Sequence, residues 1–348
     1  MDLGKGARIR LEPQDEYMHP IEAARNFNES MYINLFDHQQ ACGGWFRVGN
    51  RPNERHAEMS FCFYLPDGKV AFMFRRVEID NNDALAAGGM HFDVVEPFKT
   101  LTLKYEGKAV LLDDPQQMED PKKAFANNPT VNVSADLLFT GMTPVYGGEA
   151  VDESGQPIEE DPDESFARGH YEQHMKGEGN VCIDGTPFAL SGFGLRDHSW
   201  GPRYWQNLYW YRWLPLVFTE QFAVNISIVQ MASGRQHIWG MVYDTRDGSE
   251  SVYDLVDTAS MESTLDDRDQ AQAQKFSLKT VSGREYQLSG ESLALIPLRN
   301  RRQTDTGEWR QTRITEAMSR FQCDGLTGYG MSEYLDQMVE GVPVGRHC

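Results

Sequence analysis

Three ionisable residues in succession, Arg196-Asp197-His198, run into the densest aromatic stretch of the chain, which holds Trp200, Tyr204, Trp205, Tyr209, Trp210, Tyr211 and Trp213. Histidine is the one side chain whose ordinary pKa lies near neutrality, so it can both give and take a proton. Aromatic rings bury large areas and offer flat faces to a ligand or to a developing positive charge. The combination allows acid–base chemistry beside an apolar surface. In an extended strand successive side chains point to opposite faces, so Asp197 and His198 cannot form a simple dyad with each other. Arg196, His198 and Trp200 would share one face and Asp197 and Ser199 the other, unless Gly201-Pro202 redirects them. Two readings stay open. In the first, His198 is an acid/base group on a cavity wall, with Arg196 and Asp197 setting its orientation and charge. In the second, Asp197 and Arg203 tie a strand end to a loop through charge-assisted hydrogen bonds, and His198 fills a satisfied core position.

Other candidates are scattered. Trp45 opens a turn-rich stretch containing Asn50, Asn53, Glu54 and His56, which could line a pocket rim or anchor a loop. His91 follows a flexible Gly88-Gly89 pair and is a second candidate for a cavity wall. Glu316 and Glu333 are late carboxylates in settings that suggest burial, as catalytic groups or as partners of Arg196 or Arg203. His170 and His174 lack the Glu of a metalloprotease helix, and no glycine-rich phosphate loop, dinucleotide fingerprint or Gly-x-Ser-x-Gly elbow is present. Chemistry with no cofactor and no metal is expected.

The elements that must hold these residues read as β-strands. Alternating apolar runs recur at short spacing, each closed by a turn signal. Glu58 to Leu65 leads into Pro66-Asp67-Gly68-Lys69 and then Val70 to Phe74, and an Asp-Gly pair suits a hairpin. Similar punctuation stands at Tyr105-Glu106-Gly107-Lys108, Ile183-Asp184-Gly185, Ser233-Gly234-Arg235, Thr245 to Gly248 and Val281 to Arg284. Helix is expected in three places only: His19 to Asn26, Asp120 to Ala126, and, after a closing turn at Gly328-Tyr329-Gly330, Ser332 to Met338 with Ser332 as its cap. The length of 348 residues suits two domains. The acidic 149–168 segment is the clearest compositional break, which places them at 1–165 and 166–348.

Composition excludes several classes. The 33 Lys plus Arg against 52 Asp plus Glu give a net charge of −19, a surface that repels nucleic acid and anionic lipid. The opening residues show no basic-then-apolar signal, and no window approaches the roughly 18 apolar residues of a membrane span. A soluble cytoplasmic protein without membrane insertion is expected, with a homo-oligomer left open. The five cysteines are dispersed, which suits thiols rather than a disulfide framework.

The run Gly194 to Arg203, with Asn50-Arg51-Pro52-Asn53-Glu54 and Gly328 to Tyr334, resembles an uncharacterised bacterial family related to the carotenoid 1,2-hydratase and AttH-like proteins. The resemblance spans most of the chain, and Asp197-His198-Ser199-Trp200-Gly201 is its most specific part. It implies an all-β protein of two lipocalin-like antiparallel barrel or sandwich domains with a ligand cavity in or between them. Its wider superfamily includes polyene hydratases and fungal pericyclases, which act on large apolar substrates without a cofactor. His198 and Trp200 match the hydratases' His-x-Trp pair. The hydratases' acidic donor on the next aromatic strand has no counterpart, because Trp210-Tyr211-Arg212-Trp213 stands there, so Tyr209 or Tyr211 would serve as the second proton-transfer group. The expected function is a cofactor-independent lyase or isomerase, of hydro-lyase or retro-aldol type, acting on a hydrophobic aromatic, terpenoid or steroid-like molecule. His198 would be the acid/base, and Trp200, Trp205, Trp210, Arg203, Trp45 and His91 would contact the substrate. A non-catalytic lipocalin-like carrier is the alternative.

Overall fold

The computed structural model of the chain describes residues 8–158, 167–204, 207–303 and 309–345. Most of the acidic run, residues 159–166, and Trp205 lie outside the described residues.

Strands dominate, and two compact units contain them. The first sheet holds β1 (Arg8–Arg10), β2 (Phe27–Asp37), β3 (Cys42–Arg51), β4 (His56–Tyr64), β5 (Val70–Glu78), β6 (Ala86–Ala87), β7 (Met90–Glu96), β8 (Thr100–Leu112), β9 (Thr130–Gly141), β10 (Tyr146–Val151), β11 (Gly169–Ile183) and β12 (Thr186–Pro202). Its neighbours run β1-β10-β11-β12-β2-β3-β4-β5-β8-β7-β6, and β9 pairs with both β8 and β11, so the sheet closes on itself. The second sheet holds β13 (Leu208–Thr219), β14 (Phe222–Met231), β15 (Gln236–Asp244), β16 (Tyr253–Leu265), β17 (Ala271–Thr280), β18 (Glu285–Gln303), β19 (Trp309–Cys323), β20 (Leu326–Val339) and β21 (Val342–Pro343). It is a meander whose β13 and β20 pair and close an eight-stranded antiparallel barrel. Closure removes the sheet edges that would otherwise be open to further pairing.

Each interior follows the strand period of two. In β9, Val131, Val133, Ala135, Leu137 and Phe139 are buried and the residues between them largely exposed. Phe139 stands opposite Gly177 of β11, so Tyr171, Gln173 and Met175 face inward with it. The second interior is packed by Leu214, Leu216, Val224, Ile226, Phe276, Leu288 and Phe321.

Several hairpin turns fall where the sequence places them. Asp184 and Gly185 take positive φ values of 50° and 79° between β11 and β12. Gly107 is different, because it lies inside β8. A side chain there would meet the Tyr105 hydroxyl at 2.6 Å, and that hydroxyl donates to the Lys108 carbonyl. The glycine therefore serves close aromatic packing rather than a turn.

Of the three expected helices only one forms, α1 (Pro121–Asn127), with the Asp120 side chain accepting from the Lys123 amide. Residues 17–26 are an irregular strap, preceded by a short 3-10 turn at Pro13–Glu16 and carrying Pro20. Ser332 to Met338 lie in β20, and Ser332 accepts from the Gln274 side chain instead of capping a helix. The glycines read there as a turn allow close backbone approach: a side chain at Gly330 would meet the Pro215 carbonyl oxygen at 2.2 Å.

The boundary also differs from the expected 165. The first unit comprises Met1–Phe63, Ala71–Leu111 and Pro129–Trp205, and the second comprises Tyr64–Val70, Leu112–Asn128 and Gln206–Cys348. The reason is pairing, since β11 and β12 bond along their whole length to each other and to β9, β10 and β2. Cys42, Cys62, Cys182 and Cys323 are thiols.

Gly169 illustrates the tolerances. A side chain there would stand 2.1 Å from the Trp200 ring. Gly169→Ala should cost about 1–3 kcal/mol through overpacking, read as a lower denaturation midpoint.

Candidate functional site

β12 pairs with β2 in unbroken register from Arg196 opposite Ile33 to Pro202 opposite Phe27, so Gly201-Pro202 redirects nothing. Arg196, His198 and Trp200 face the barrel interior with Tyr171, and Asp197 and Ser199 face outward. Each face carries its own cluster.

On the inward face His198 has no exposed surface, and both ring nitrogens are engaged: Nε2 lies 3.1 Å from Glu29 Oε1 and Nδ1 lies 3.2 Å from the Tyr171 hydroxyl. Glu29 Oε1 is also 2.8 Å from His19 Nδ1, and Oε2 accepts from the His19 backbone N–H and from Asn82 Nδ2. Burial alone would raise the Glu29 pKa, but the hydrogen bonds and charge of His19 and His198 bring it down to about 2. The His19 ring stacks on Trp200 at 4.1 Å. Arg196 is ion-paired with Glu16, and its Nε and Nη2 donate to Gln173 Oε1, while Gln173 Nε2 is fixed by the Phe98 and Thr143 carbonyls. These are the contacts of a sealed polar core. His198→Ala should leave Glu29 short of a partner and cost about 1–3 kcal/mol, measured by chemical denaturation.

The outward face is buried at Ser30, Tyr32, Glu172 and Ser199 and partly open at His170 and Asp197. His170 Nε2 lies 2.7 Å from Asp197 Oδ2, and the two side chains keep 29% and 21% of their surface exposed. Register builds one row across five strands: Tyr146, Glu172, Asp197, Tyr32 and Arg47. Neighbouring strands stand about 4.8 Å apart, so each group in this row acts chiefly on its immediate neighbours. Tyr32 stacks on Trp45 at 5.9 Å, and Tyr146 is half-buried beside Glu172. In the next row His170 stands opposite Ser199, and Ser199 opposite Ser30, with Arg203 Nη2 donating to Ser199 Oγ. Burial alone would lower the His170 pKa, but the Asp197 and Glu172 carboxylates raise it above its ordinary value, against a smaller opposing effect of Arg203. Asp197 is held below its ordinary value, chiefly by His170 working against burial. The pair's mutual attraction thus favours the protonated imidazole and the ionised carboxylate.

The remaining expected site residues fall elsewhere. Tyr209, Trp210 and Tyr211 stand on β13 of the second unit, where Tyr211 donates to Glu333 and Trp210 Nε1 donates to the Gly345 carbonyl. His91 is on an exposed strand beside Asp93 at 3.1 Å, a surface pair. Trp45 is buried beneath the outward face. Arg196 pairs with Glu16, and Arg203 donates to Ser199. A cleft of about 520 Å³ in the second unit is lined by Glu262, Gln274, Lys275, Glu291 and Arg320 among others, with no aromatic side chain in its lining.

His170, Glu172, Glu29 and His19 are the residues that local sequence reading passes over. A signal existed for the first two: counting outward from the Asp184-Gly185 turn pairs Asp197 with Glu172 and His198 with Tyr171, as observed. Two groups could hold a metal ion, His19 with Glu29 and His198, and His170 with Glu172 and Asp197.

Two closed antiparallel barrels, the first with a titratable cluster on each side of its β12 wall, define the class. Residues 12–338 match the model of a domain-of-unknown-function family, DUF7064, and the chain belongs to that family. No curated protein matches the sequence. Among solved structures, an AttH-like protein of Nitrosomonas europaea is 12% identical with a TM-score of 0.57, over 92% of this chain and 97% of that one. CghA crystallised with Sch210972 is 9% identical with a TM-score of 0.53, over 90% and 89%. Kievitone hydratase of Nectria haematococca is 9% identical with a TM-score of 0.52, over 88% of each chain. At these identities the likeness is one of fold, and it agrees with the two-barrel expectation.

Proposed function

We propose that the protein is a cofactor-independent hydro-lyase acting on a hydrophobic aromatic small molecule, with His170 and Asp197 as the proton-transfer pair. The observation that carries this reading is the 2.7 Å imidazole–carboxylate pair left partly open on the outward face. His198, the acid/base expected from sequence, has neither an exposed surface nor an unengaged ring nitrogen, so the role passes to its neighbour's partner across the sheet.

A histidine whose pKa is raised by neighbouring carboxylates is better suited to giving a proton than to taking one. In dehydration the imidazolium protonates a departing hydroxyl, the C–O bond breaks with its electrons going to oxygen, and water leaves. The ionised Asp197 carboxylate is the base placed to take the proton from the neighbouring carbon, and hydration runs the same steps in reverse. Arg203, held by Ser199 beside the pair, supplies positive charge to a second, conjugated substrate oxygen that takes up electron density as the carbon loses its proton. Retro-aldol cleavage needs a neutral base at the start, which the raised pKa of His170 opposes. A hydratase and a small-molecule-bound protein among the fold relatives agree with the reading.

Asp197→Asn separates enzyme from carrier. Turnover of an aromatic hydroxy compound or its dehydrated partner, followed by loss or gain of conjugation in the ultraviolet, should fall about 100-fold or more. Affinity for the same compound should stay within about threefold, since the change removes charge and little area. Turnover at the wild-type rate contradicts the proposal, and a wild-type protein that binds such compounds and converts none is a carrier.

A further inference from the structure

The inward cluster is not used by the proposed chemistry, and its composition is unusual for a hydrogen-bond network alone. His19 Nδ1 and His198 Nε2 both approach the same oxygen of Glu29, at 2.8 and 3.1 Å, and the three donor atoms lie within 4.8 Å of one another. Ions of the zinc class hold nitrogen and oxygen donors at about 2.0–2.2 Å in a tetrahedron, so two donors on one ion stand about 3.4 Å apart. The spacings of 2.8 and 3.1 Å at Glu29 are a few tenths of an ångström short of that, so the two rings would move apart slightly to admit the ion.

The atoms that would not bind an ion are held from behind. Glu29 Oε2 accepts from Asn82 Nδ2 at 2.6 Å and from the His19 amide, Asn82 Oδ1 in turn accepts from Asn50, and His198 Nδ1 meets the Tyr171 hydroxyl. Such outer partners fix the ring orientation and basicity of metal ligands. Glu29 is fully buried, and no Lys or Arg is among the partners that set its ionisation, which are His19 and His198. The second group, His170 with Glu172 and Asp197, is less suited: Glu172 is 3.9 Å from the imidazole, and the Arg203 charge acts on the same groups.

We propose that His19, Glu29 and His198 bind one divalent transition ion of the zinc class, through Nδ1, Oε1 and Nε2, and thereby fasten the 17–26 strap to the β2 and β12 wall. The ion would displace the protons otherwise shared between the imidazoles and the carboxylate, and three protein ligands leave a position for water.

The test uses the full chain after dialysis against a chelator, titrated with Co²⁺ and then with competing Zn²⁺. The expected result is one Co²⁺ per chain with absorption bands in the visible, displaced by Zn²⁺, and a rise in thermal midpoint of about 5 °C at saturation. His19→Gln and Glu29→Gln should lose both signals, and His170→Gln should keep them. His19 lies at the partly open edge of the cluster, so His19→Gln decides the matter if Glu29→Gln does not fold. No visible band and no midpoint shift would mean a proton-held network and overturn the proposal. Binding that survives His19→Gln, or that is lost in His170→Gln, would place the ion elsewhere and overturn it equally.

Discussion

Replacing His170 by Gln should reduce turnover by about 10²–10⁴-fold, the usual contribution of a positioned general acid or base. Glutamine keeps a hydrogen-bonding group near Asp197 but carries no transferable proton, so binding of the substrate should change far less than its conversion. The pH dependence provides a second readout. The groups facing His170 are Asp197 and Glu172, which hold its proton, and Arg203, which opposes them. If the charged form is the acid, activity in the dehydration direction falls as pH rises through the raised pKa. Stability follows the same sign: the folded pKa lies above the unfolded value of about 6.5, so the contribution of the pair is complete below that pH and is lost as pH climbs through the folded pKa. Thermal midpoints taken from pH 6 upward should fall across this window in the wild type, and the fall should be smaller in His170→Gln.

The second large effect concerns Arg196, which is among the most deeply buried large side chains of the chain. Arg196→Ala strips Glu16 of its cation and leaves a buried carboxylate whose remaining hydrogen-bond partners are the Phe98 amide and the Tyr171 hydroxyl. Breaking one side of a buried pair costs about 3–5 kcal/mol, so the denaturation midpoint should fall sharply. Removing both charges, as Arg196→Met with Glu16→Gln, should recover part of the loss, because neither partner is then left charged and alone. If Arg196 instead oriented a catalytic group, as one reading of the sequence allows, the single variant would lose turnover while keeping its stability. Unfolding curves and activity on the same preparation distinguish the two.

The strand pattern and most turns were legible because each depends on a few neighbouring residues: Asp67-Gly68 and Asp184-Gly185 must turn, and alternation in segments such as Arg313 to Phe321 must form strands. The opposite faces of Asp197 and His198 followed from the same period of two. What local pattern could not convey was which side of β12 would be sealed. That depends on β2, whose Glu29 stands opposite Trp200 although it lies far away in sequence. Glycine was the other source of error. Gly107 and Gly330 read as turn residues, yet each stands in a strand where another atom comes too close for a side chain. The strap at 17–26 read as helix, yet the His19 amide and ring are both committed to Glu29.

The most direct measurement is an NMR titration of the imidazole and indole signals with a flat phenol such as naphthol, using His170→Gln and His198→Gln to assign the two histidines. The expected result is a saturable shift of the His170 imidazole, with the sealed His198 signal unmoved. Shifts confined to His198 or to indoles of the second unit, with His170 silent, would contradict an outward-facing site and with it the proposed chemistry.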